Sequence, residues 1–209
     1  MLDHTSLIYF LVATVALNVT PGPDMLYIIA RSLGQGQKAG IVSALGICVG
    51  CLVHTLAAAF GLSALLKSSA TAFEVIKYLG AVYLIYLGIR LLLSKNVMSA
   101  QARLKPASLG SIFRQGVMTN VLNPKVALFF LAFLPQFVNA SKGAVAWQII
   151  FLGLIFNTSG TIWNSAVAML AGYVGNQFKE RPSLAHLQRW LTGSIFIGLG
   201  VRLALTKRS

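Results

Sequence analysis

The stretch Asn18-Val19-Thr20-Pro21-Gly22-Pro23-Asp24 interrupts the first long apolar segment of the chain. Proline has no N–H to donate and clashes with the preceding helical turn, so Pro21 and Pro23, with Gly22 between them, break a helix. In hydrocarbon every freed backbone group needs a partner, so a broken span belongs where it lines a protected polar cavity. Broken spans of this kind recur at transporter binding sites. The break also carries Asp24, and a carboxylate at membrane depth is a functional candidate by default.

Composition places that break in a membrane. The 209 residues are 56% hydrophobic and 10% charged, with a mean hydropathy of +0.76. A soluble domain carries roughly 25% charged residues. The chain therefore reads as an all-α, polytopic membrane protein with six transmembrane helices, over 6–30, 40–66, 71–93, 111–133, 145–174 and 187–206. Each is long enough to cross a core of about 30 Å at about 1.5 Å per residue.

The net charge of +13 does not imply nucleic acid. Lys and Arg fall mainly between the apolar segments, where positive-inside topology puts them. Ten sit in or beside the loops after spans one, three and five, against six on the opposite side. That bias puts both termini outside the cytoplasm of a bacterial inner membrane. No Lys or Arg precedes the first apolar segment, so a secretory signal is not expected and the segment reads as a span.

The two halves resemble each other across the polar linker 95–110. Residues 77–94 align without gaps on 189–206, with seven of 18 positions identical, including Arg90 with Arg202. Asn18-Val19 likewise matches Asn120-Val121, each just ahead of a proline break. Three spans per half turn the second half upside down, which predicts inverted repeats over 1–94 and 111–209 with helices one and four broken. The two breaks would then face each other.

The second break is Asn120-Val121-Leu122-Asn123-Pro124-Lys125. Asn123 suits the N-cap and Pro124 the first helical position. Lys125 then opposes the positive helix end, so local stability does not account for it. It could pair with Asp24, hold a substrate carboxylate together with the half-helix N–H groups, or snorkel to headgroups. In the first break, Pro23 suits the first helical position and Asp24 the first turn, while Asn18 and Thr20 are candidates to bond freed carbonyls or a substrate. The bland alternative is a capped kink with no ligand. The expected binding set is Asn18, Thr20, Pro21, Gly22, Pro23, Asp24, Asn120, Asn123, Pro124 and Lys125.

Proton-coupling candidates are Asp24 and His54; an isolated histidine more often only joins two helices. Asn157, Thr158, Ser159 and Asn164 make span five polar, as cavity lining or as interhelical glue. Glu74 and Lys77 suit an interfacial pair. Cys48 and Cys51 form a C-x-x-C without the context of a redox or zinc site, and read as small buried thiols beside Gly46 and Gly50. No cofactor or metal is expected.

Pro21-Gly22-Pro23, Asn123-Pro124-Lys125 followed by Leu134-Pro135-Gln136-Phe137, and Leu79-Gly80-Ala81-Val82-Tyr83-Leu84 with Leu87-Gly88-Ile89 together resemble the LysE/RhtB family of amino-acid exporters, particularly its RhtB branch. The similarity covers essentially the whole chain. It implies a cytoplasmic-membrane exporter of amino acids or close derivatives, driven by proton exchange, with threonine, homoserine, homoserine lactone and leucine among the family's substrates. Some relatives carry an acidic residue in span five, where this chain has only Gly, Asn, Ser and Thr. Asp24 is then the carboxylate left firmly within a span.

The reading from sequence is thus a secondary exporter, not an enzyme, whose partners are an amino-acid substrate, protons and the lipid bilayer. Small-residue faces leave room for a homodimer. A membrane thiol–disulfide oxidoreductase and a passive amino-acid channel are the rivals. The former is disfavoured because both cysteines lie in one span, away from the breaks.

Overall fold

The computed structural model describes residues 4–62, 105–139, 141 and 143–174, with scattered positions between 75 and 93 and between 194 and 204. All secondary structure among the described residues is helical. The third and sixth sequence spans lie mostly outside them, as do Glu74, Lys77 and most of the aligned segments 77–94 and 189–206. The positions described within those two spans are helical.

Span one is two helices, α1 (His4–Val19) and α2 (Pro23–Gln35), bent by 45° at the proline break. α1 ends where Thr20 folds back on it: its N–H and its hydroxyl both reach the main-chain O of Ala16, at 3.1 and 2.6 Å. α2 starts with Gly22 as an extended N-cap and Pro23 in its first turn, where the missing N–H costs nothing. It runs five residues further than the sequence-read span, to Gln35. There Gly36 (φ +84) makes the left-handed turn into α3 (Gln37–Ala57), a conformation that favours glycine. α3 continues through a π-helical turn, Ala58–Leu62.

Span four repeats the bend. α4 (Leu109–Val121) is capped by the Ser108 hydroxyl, which accepts from the Ser111 N–H, and α5 (Pro124–Leu128) follows at 45°. Asn123 caps α5 by accepting from the Lys125 N–H at 3.0 Å, as its sequence position predicts. The apolar run beyond α5 is not one regular helix. It passes into a π turn, Phe129–Phe133, then a 3₁₀ turn, Leu134–Phe137. α6 (Val145–Val174) is a continuous helix of 30 residues. α3 with its extension and α6 are each long and apolar enough to cross a membrane, and each bent pair adds a further candidate span.

α3 packs closely on α4 through backbone. A Cβ on Gly116 would lie 2.8 Å from the Ser43 carbonyl oxygen, and one on Gly46 would collide with the Phe113 carbonyl. In a membrane, where lipid removes the hydrophobic drive between helices, such close approach is what holds them together. Gly153 on α6 similarly seats the Thr55 side chain of α3.

The two bent spans run antiparallel. Phe10 near the start of α1 meets Phe137 at the end of span four, and the end of α2 meets the start of α4 through Gln35 and Ala107. The breaks therefore lie side by side at mid-height. On one side of them is an aromatic cluster of Phe10, Phe129, Phe130, Phe133, Phe137 and Phe156, with ring centroids 4.6 to 6.1 Å apart. On the other is a polar seam between α2 and α4.

Candidate functional site

A cavity of about 40 Å³ sits where the breaks meet, room for roughly three waters. Its wall takes Asn18, Thr20, Gly22 and Asp24 from the first break and Asn120, Asn123 and Lys125 from the second. Pro21, Pro23 and Pro124, expected in the site, are absent from the lining. Pro23 and Pro124 are exposed; they shape the backbone that presents their neighbours. α3 adds Ile47 and Cys51, and α6 adds Phe156, Asn157, Gly160, Thr161 and Asn164.

The two charged residues share this cavity, each held by a neutral group. Lys125 Nζ donates to the main-chain O of Thr20 at 2.8 Å, and the Asp24 carboxylate accepts from Asn120 Nδ2 at 2.8 Å. The lysine thus caps a carbonyl that the proline break has freed, instead of pairing with Asp24 or snorkelling outward. An ammonium carries three donors, so Lys125 keeps capacity beyond this bond. Asp24 Oδ1 and Asn120 Oδ1 are buried acceptors that meet no donor, the latter packed against Gly50 of α3. Leaving such oxygens dry costs free energy, which a donor entering the cavity would recover.

His54 does not line the cavity. Its Nε2 lies 3.0 Å from the main-chain O of Asn120, and its ring stacks at 5.9 Å on Phe130. A carbonyl only accepts, so Nε2 carries the hydrogen in this contact. His54 and Asp24 therefore converge on one residue, Asn120, from its main chain and its side chain.

The polar residues of span five face different surroundings. Asn157 and Asn164 line the cavity, Ser159 accepts from Asn18 Nδ2 at 3.1 Å, and Thr158 is exposed on the opposite face. Asn157 Nδ2 donates to Cys48 Sγ at 3.4 Å. Both cysteines are free thiols, and Cys51 is buried.

Sequence reading missed the polar seam. Arg31 on α2 is 3% exposed. It donates to Gln115 Oε1 at 2.6 Å, to Lys105 O at 2.9 Å and to Gln35 Oε1 at 2.7 Å, and it lies 5.5 Å over the Tyr27 ring. Tyr27 donates to Ile112 O at 2.8 Å, and Gln35 binds Ala107 through both its amide groups. Among the described residues Arg31 meets no carboxylate. The available signal was the helical spacing Asp24, Tyr27, Arg31, Gln35, which puts four polar groups on one face of α2.

Comparison with known proteins places the chain in a family. Residues 15–207 match the family described as LysE type translocator. The chain belongs to this LysE family. Its members are translocators, so the chain is a transport protein and not an enzyme. It is 32% identical to the uncharacterized membrane protein YrhP of Bacillus subtilis, over 97% of this chain and all of that one. It is 29% identical to a leucine efflux protein of Klebsiella pneumoniae and 27% identical to one of Salmonella typhimurium, in both cases over 93% of this chain and 92% of the relative. No solved structure gives a significant match. Family membership, the apolar helices and the two bent spans together establish an all-α polytopic membrane protein of the LysE type.

Proposed function

We propose that the chain exports neutral amino acids or their close derivatives from the bacterial cytoplasm across the inner membrane. The observation that carries this reading is the pairing, in one cavity, of a lysine with donor capacity to spare and a carboxylate, Asp24, with a buried oxygen that meets no donor. A zwitterion satisfies both. Its carboxylate meets Lys125 and the N-terminal N–H groups of α5, and its ammonium group meets Asp24 and Asn120. The leucine efflux proteins among the relatives support the same substrate class.

Transport follows by alternating access between two inverted repeats, 1–94 and 111–209. The antiparallel course of the bent spans and the side-by-side breaks support that arrangement. The cavity holds about three waters as it stands, so an amino acid enters only when the half-helices part. Proton antiport is assigned to Asp24: a proton arriving from outside competes with the bound ammonium, and its release inside readies the site again. His54, joined to Asp24 through Asn120, is the second proton candidate.

The test is efflux of preloaded amino acids from vesicles, with and without an inward proton gradient. Uphill efflux driven by the gradient is expected. Downhill flux that no gradient can reverse would indicate a channel, and gradient-independent efflux would remove the antiport step alone.

A further inference from the structure

Four of the cavity residues form a continuous apolar wall. Leu17, Cys51, Val126 and Phe156 all line the cavity and all belong to the same buried hydrophobic cluster, each no more than 4% exposed. Phe156 is fixed in place: its ring stacks on Phe129 at 4.6 Å and meets Phe130 edge-on at 5.5 Å. Both partners belong to the π turn that follows the second break. Beside this wall Asn157 donates to Cys48 and Asn18 to Ser159, while Thr161 and Asn164 also line the cavity. Within the wall the nearest polar atom is a thiol, which is a weak donor and a weak acceptor.

We propose that Leu17, Cys51, Val126 and Phe156 form a side-chain subsite that admits aliphatic amino acids and disfavours hydroxylated and charged ones. The proposal rests on the amino-acid reading of the cavity, and adds what the zwitterion groups alone leave open. Asp24, Asn120 and Lys125 recognise what every amino acid shares. The wall then discriminates by burying the part that differs. A hydroxyl pressed against these four side chains loses water and meets only the weak thiol of Cys51. Hydrophobic pockets discriminate by roughly 10- to 200-fold per methylene, and by about 100-fold against an isostere that adds a hydroxyl.

The sharpest comparison is valine against threonine, which match in shape and differ by that hydroxyl. The experiment uses the full chain in liposomes, with counterflow of labelled leucine competed by alanine, valine, leucine, phenylalanine, threonine and lysine. Valine and leucine should compete at least about tenfold better than threonine and lysine. Phe156→Ala should move the preference towards phenylalanine, and Cys51→Leu, which fills the cavity from the facing helix, towards alanine. A folding defect lowers all substrates together and does not move the two rankings in opposite directions. Equal competition by valine and threonine in the unmodified protein overturns the subsite, whether or not the variants fold. An unchanged ranking in both folded variants does the same. Absence of counterflow with every amino acid would instead overturn the efflux reading beneath it.

Discussion

Replacing Arg31 with alanine should unfasten one end of the cavity. In the structure the guanidinium ties α2 to the start of span four through Gln115 Oε1 at 2.6 Å and Lys105 O at 2.9 Å. Losing a hydrogen bond made by a charged group costs about 1.5–3 kcal/mol. Gln115 and Lys105 are exposed, so water recovers part of that and the lower figure applies to each. Arg31→Ala then weakens the closed arrangement by about 3 kcal/mol, which is roughly a hundredfold in the fraction of time the seam stands open. Gln115→Leu removes one of the two bonds and should give roughly tenfold.

Cys51 is the built-in reporter, because it lines the cavity and is 3% exposed. In a Cys48→Ala background, its labelling by a membrane-impermeant maleimide follows the open fraction, provided opening is fast compared with the chemistry. Arg31→Ala should accelerate labelling from the membrane side that carries residues 31–38 and leave labelling from the other side unchanged. Equal acceleration from both sides would mean that the bundle has loosened as a whole. No acceleration would mean that the seam does not close the cavity. Either result refutes the reasoning.

Three further outcomes follow from the same geometry. Lys125→Ala and Asp24→Asn should each abolish amino-acid efflux while the protein stays in the membrane; efflux at the unmodified rate in either variant removes that residue from the site. Gly116→Ala forces a Cβ to within 2.8 Å of the Ser43 carbonyl oxygen. Overpacking of this kind costs about 1–3 kcal/mol, read as a fall of several degrees in the thermal midpoint in detergent. The double variant Cys48→Ala/Cys51→Ala should still export, measured in the same vesicles; loss of export with the protein intact would give the thiols a role beyond packing.

The elements that could be read from sequence are those that local chemistry determines. Two prolines and a glycine bend span one, and Asn123-Pro124 suits the start of a new helix, so both 45° bends were foreseeable. The cavity composition was legible to the same extent, because seven polar, charged or glycine positions at the breaks do line it. The prolines do not line it, because sequence does not separate a residue that bends the chain from one that faces the bend. Arg31 was missed because its partners, Gln115 and Lys105, lie 84 and 74 residues away and carry no motif. The π turn at Phe129–Phe133 was invisible for a different reason. An unbroken apolar run has no polar face from which to read a helical period. Thr158 shows the same limit at a single position, since one residue's shift along α6 separates the cavity face from the exposed one.

The bond between Asp24 and Asn120 also bears on how the protein is made. Its two ends are 96 residues apart, and chains grow at about 5–20 residues per second. The carboxylate of the first span therefore enters the membrane roughly 5–19 seconds before the amide that will hold it has been synthesised. Arg31 waits a comparable time for Gln115. The first half must pass through the insertion machinery with its most polar groups still unpartnered, and only arrival of the second half completes it. A ribosome stalled near residue 100 should expose a first half that proteases or chaperones recognise as unfinished, because half of the cavity's wall has yet to be translated.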